Sequence, residues 1–141
     1  MGKEFANVNG YNRIRECYAH MEIKEFRFKI SEHIFRIIKE QLDTDNVVLI
    51  DGLYTYDVLE KLKKNYDCKL IYLKTEDSIR YDRLSKRLSI TIKQAQEESK
   101  IKEHLNNDLG AEEVMALADY VVDGAKSIDE IFEATKQYIE K

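Results

Sequence analysis

The sequence has no proline at any of its 141 positions, where about 5% is usual. That absence removes a common helix breaker and suits a helix-rich chain, or a composition leaning toward Lys, Ile and Asn. Only two cysteines occur, Cys17 and Cys68, far apart and with no CxxC pair or nearby histidine pair. Such spacing argues against a disulfide framework or a zinc site and points to reduced thiols in a cytoplasmic protein. No stretch approaches the ~18 consecutive apolar residues of a membrane span. Met1-Gly2-Lys3-Glu4-Phe5 lacks the apolar core of a secretory signal. Myristoylation at Gly2 is set aside because Ala6 stands where Ser or Thr is needed. A concentrated basic face is missing too. Net charge is −4 with both signs interspersed, which argues against nucleic-acid binding.

What is present is ordinary for one globular domain spanning residues 1–141: 43% hydrophobic and 35% charged residues. No repeat, low-complexity tract or linker interrupts it. The spacing predicts helices over 11–21, 26–40, 56–62, 77–86, 91–104 and 112–118, and a last one opened by the capping-box pattern Ser127-Ile128-Asp129-Glu130. Short strands are expected at 4–9, 47–50, 68–73 and 119–122. Alternation of strand and helix implies right-handed crossovers and a parallel sheet, hence an α/β fold.

Val47-Val48-Leu49-Ile50-Asp51-Gly52 is the most telling stretch. An unbroken apolar run rich in β-branched residues reads as a strand buried on both faces. An acid at its carboxyl end lies where open α/β sheets place ligands, suited to holding magnesium or its water beside a phosphate. Gly52 can supply a positive φ for the turn, and Asp51 then has a bland alternative role as the start of that turn. Arg80, Arg83 and Arg87 repeat at three and four residues, which places three guanidinium groups on one helical face suited to phosphate oxygens. A solvated surface face is the competing reading. His20, His33 and His104 have no spacing fit for a metal site or catalytic triad.

Taken together, Val48 to Tyr54, Leu70 to Leu73 with Arg80 to Arg87, and Ala116 to Val122 with Ser127 to Ile131 resemble the P-loop kinases of small metabolites. The likeness is closest to the dephospho-coenzyme A kinase-like group and its nucleoside monophosphate kinase relatives. Gly2 to Asn9 followed by Tyr11 to Arg15 resembles the strand and acceptor-side helix of that group. The resemblance implies a three-layer α/β/α fold with a short parallel sheet, ATP and Mg²⁺ as cofactors, and phosphoryl transfer to a small metabolite. It gives Asp51 the magnesium or water-positioning role, and Arg80, Arg83, Arg87 and Gly52 the donor nucleotide. Arg15 and Tyr54 would meet the acceptor.

The departures are equally specific. The group's first strand, GxxxxGK[ST] loop and first helix have no counterpart in the sequence. Losing such donors to the transferring phosphoryl group costs about 10²–10³ in rate for each. In the lid-like segment, about 88–110, Gln96-Glu97-Glu98-Ser99 stands where relatives commonly carry arginines. Three readings follow: a kinase whose opening segment is absent from the 141 residues, a catalytically inactive relative acting as a binding or regulatory protein, and half of a split enzyme whose partner chain brings the loop. Without the central strand, the sheet is expected to close up or to be completed in a homodimer.

Overall fold

Helix α3 (Ile23–Leu42) shows how this chain folds. Its apolar residues recur at three and four positions, so Phe26, Ile30 and Ile38 fall on one buried side while the lysines and glutamates stay in water. The computed structural model describes residues 1–140, which form eight helices and two strands. The fold is thus mixed α/β with a two-stranded parallel sheet. The chain gathers into two compact units.

The first unit comprises Met1–Asp67 and Leu105–Val114. It holds α1 (Gly2–Val8), α2 (Ile14–His20), α3 and α4 (Tyr56–Asn65). Its core is Phe5, Ala6, Cys17, Phe26, Ile30 and Leu109, with Tyr11, Ile14, Tyr18, Met21, Ile34 and Leu105 packed against it. Phe5 meets Phe26 edge-on at 5.9 Å, and Tyr18 meets the other side of the cluster through Phe26 at 5.5 Å. Arg27 and Lys61 then tie α3 to α4 through Asp57 and Glu32.

The second unit comprises Cys68–His104 and Met115–Lys141, of which the residues to 140 are described. Strands β1 (Ile71–Lys74) and β2 (Tyr120–Asp123) pair in parallel, Ile71 beside Tyr120 and Lys74 beside Asp123. Asp119 secures the entry to the pair: its carboxylate accepts from the Leu70 N–H at 2.7 Å, and its own N–H donates to the Leu70 carbonyl at 2.9 Å. Helix α5 (Asp77–Leu88) follows β1 and ends at Ser89 in the left-handed conformation, φ 54°. Helix α8 (Ile128–Ile139) follows β2 and opens with the full capping box of Ser127 and Glu130. Between them in the chain come α6 (Ile92–Asp108) and α7 (Ala111–Ala116), whose residues 105–108 and 111–114 belong to the first unit.

Two sequence expectations are corrected. Residues 4–9 were expected as a strand but lie within and just beyond α1, because a strand would send the adjacent Phe5 and Ala6 to opposite faces, whereas the helix buries both. Val47–Ile50 forms no strand: Val47 is 86% and Leu49 92% exposed. An apolar, β-branched run favours extended backbone, but a strand exists only where a neighbour takes its N–H and C=O groups. Among the described residues the sheet has two members, and this run is not one.

Candidate functional site

The second unit presents the carboxyl ends of two parallel strands side by side, each followed by a helix: Lys74-Thr75-Glu76 leads into α5, and Asp123-Gly124-Ala125 leads toward α8. Open α/β sheets place ligands at such ends. The two ends are locked together. The Gly124 N–H donates to the Lys74 carbonyl at 2.8 Å. A Cβ built on Gly124 would stand 2.1 Å from the Thr75 hydroxyl oxygen, so this approach depends on glycine.

Arg83 reaches this loop from α5. Its guanidinium donates to the carbonyls of Gly124 at 2.6 Å and Ala125 at 3.2 Å. Arg80, one turn earlier, is bound to Asp77 at 3.0 Å and to Glu103 of α6. Arg87 is exposed at the far end of the same helix. The three arginines thus share α5 as their spacing required, but two are engaged within the protein. Arg83 in particular positions a loop rather than projecting as a free cation.

Asp51, Gly52 and Tyr54 lie in the first unit, in the irregular segment before α4, and all three are exposed. Gly52 has φ +71°, the positive value its turn called for. Arg15 lies on α2, also exposed. Among the described residues no cluster of three or more His, Cys, Asp or Glu side chains is placed to hold a metal ion. Magnesium often keeps several waters and takes only one or two carboxylates beside substrate phosphates. Asp51 is a single exposed carboxylate and does not form an ion site on its own.

The lid-like segment is mostly α6. It is opened at Thr91, which the sequence places near the helix cap, by reciprocal hydrogen bonds: the Gln94 side chain accepts from the Thr91 N–H at 2.9 Å, and the Gln94 N–H donates to the Thr91 hydroxyl at 3.2 Å. Sequence reasoning passed over Thr75, Gly124 and Glu103. A signal for Gly124 was available, since Asp123-Gly124 closes the Tyr120 strand with the same acid and glycine that end the Val47 run.

No family model matches the chain. No solved structure matches it. A curated UPF0200/UPF0201 protein of Archaeoglobus fulgidus is 27% identical over 120 residues, covering 84% of this chain. That stretch is 37% of the relative, so the chain spans little more than a third of the length of the curated protein to which it is similar.

Proposed function

We propose that this chain is the nucleotide-binding part of a P-loop-type, three-layer kinase frame related to dephospho-coenzyme A and nucleotide kinases. ATP-dependent phosphoryl transfer to a small metabolite then requires a phosphate loop that these 141 residues do not contain. One observation carries the reading: Lys74 and Asp123 end a parallel pair side by side, and Arg83 fixes the loop beyond that pair through the Gly124 and Ala125 carbonyls. A loop held in this way at the carboxyl ends of parallel strands is a surface on which a nucleotide can be oriented. Arg87 supplies the free cation for its phosphates; the resemblance further offers Asp51 as a carboxylate for magnesium and Arg15 and Tyr54 as contacts to an acceptor, all three in the first unit.

Calorimetric titration with ATP, in the presence and absence of Mg²⁺, tests the reading. Magnesium-dependent binding in the micromolar range is the expected result, weakened in the Arg87→Ala variant. Absence of binding overturns it.

A second reading has its own support. Asp51 is exposed and ends a run whose Val47 and Leu49 are almost bare, and Glu97 and Glu98 lie in α6, the segment that the resemblance makes the lid. These features suit a catalytically inactive relative acting as a binding or regulatory protein, as a homodimer. No ATP binding together with a stable dimer in solution selects it.

A further inference from the structure

Strand β1 has β2 on one side and no strand on the other among the described residues. Its Leu73 is 50% exposed. The same chain carries an unpaired apolar run, Val47–Ile50, in which Val47 is 86% and Leu49 92% exposed. An unpaired strand edge and an exposed run of strand-forming residues are each a liability in water. Their flanking charges are complementary. Asp45 and Asp51 bracket the run, while Lys69 and Lys74 bracket β1.

We propose that the open edge of β1 receives the Val47–Asp51 run of a second copy of this chain, reciprocally, in a two-fold dimer. Parallel pairing of Val48 with Ile71, Leu49 with Tyr72 and Ile50 with Leu73 sets apolar residues level with apolar ones. It also brings Asp51 level with Lys74, and Asp45 close to Lys69. This direction extends the parallel β1–β2 pair, and sheets of one type are favoured over mixed ones. Each copy holds one run and one edge, so two copies satisfy all four elements with a single kind of contact and close the assembly.

The pairing stands on its own observations. Its consequence deepens the nucleotide reading and rests on it: the partner's Asp51 arrives at the carboxyl end of β1, next to Thr75, Gly124 and the loop held by Arg83. A carboxylate from one copy and a loop from the other then make each site.

Sedimentation of the full chain tests this through Asp51→Lys and Lys74→Asp. Each variant alone places like charges opposite one another and is expected to weaken the dimer by about tenfold or more. An equimolar mixture of the two restores association. The lysine introduced at position 51 of one variant then meets the aspartate introduced at position 74 of the other, while the native pair survives at the second contact. A folding defect would not be repaired by mixing, and antiparallel pairing, which matches Asp51 with Lys69, would not give this rescue. A wild-type chain that stays monomeric, single variants that associate like wild type, or a mixture that fails to recover each overturns the proposal. ATP titration is read separately. Retained magnesium-dependent binding without a dimer removes this inference and leaves the nucleotide reading, whereas a dimer without ATP binding does the reverse.

Discussion

Arg27 of α3 clasps Asp57 of α4 with two hydrogen bonds, from Nε at 2.8 Å and from Nη2 at 3.1 Å. The fork geometry holds the two helices in register as a single charge contact would not. The hydrogen bond to Asp57 raises the Arg27 pKa above its ordinary value. Both side chains are about one-third exposed, so solvent screens the pair (33% and 39%). A double-mutant cycle of Arg27→Ala and Asp57→Ala should give a coupling of about 0.5–1 kcal/mol in chemical denaturation. A coupling indistinguishable from zero would mean that the pair orders the helices without stabilising them.

Among the glycines of the first unit, Gly110 leaves the least room for a methyl group. It has φ +94°, and a Cβ there would lie 2.6 Å from the Cβ of Tyr56 and 3.4 Å from the Arg27 guanidinium. Backbone strain of this kind costs about 1–3 kcal/mol, and the clash adds to it. Gly110→Ala should therefore lower the thermal midpoint by several degrees, whereas Gly10→Ala, with no atom within 4 Å of its Cβ, should lower it less. Equal losses at the two positions would show that the positive φ alone decides the outcome.

Tyr18 donates its hydroxyl proton to Asp108, and this hydrogen bond, with burial and the negative charge of Asp108, pushes the phenol up to about 12 from 10.0. A folded-state pKa above the unfolded value means that the folded chain holds this proton more tightly. The stabilisation is complete below pH 10 and is lost as pH rises from about 10 to about 12. Tyr18→Phe should be less stable than wild type at about pH 8, with the gap closing across that alkaline window. A gap unchanged up to pH 12 would contradict the assigned proton donor.

Arg83 and Arg87 should separate cleanly by hydrogen exchange. Removing Arg83 frees the carbonyls of Gly124 and Ala125, so Arg83→Ala should speed exchange through residues 123–127. Arg87→Ala should leave that loop unchanged and act only on phosphate binding. If the two variants loosen the loop equally, the contact is incidental.

Much of the helical content was legible because amphipathic spacing is a local property. Phe26, Ile30 and Ile38 announced α3, and Ser127 with Glu130 announced the start of α8 through a cap satisfied within one turn. The β1–β2 strands were legible as apolar runs, and the parallel pairing followed from the helices between them. Less local features were not. Arg80, Arg83 and Arg87 could be placed on one helix, but the carbonyls that Arg83 binds lie about forty residues onward at Gly124 and Ala125. Glu103, which takes Arg80, is likewise invisible to helical spacing.

The sequence by itself determined which stretches favour helix, where α8 is capped, and that Gly52 would take a positive φ. Those outcomes depend on neighbours a few residues away. Only the tertiary structure decided that residues around Phe5 become a helix, that Val47–Ile50 stay bare, and that Gly124 must carry no side chain beside Thr75. Each of these turns on what lies across space. A strand is completed by a partner's backbone, and a helix is chosen when it buries side chains that a strand would split between two faces.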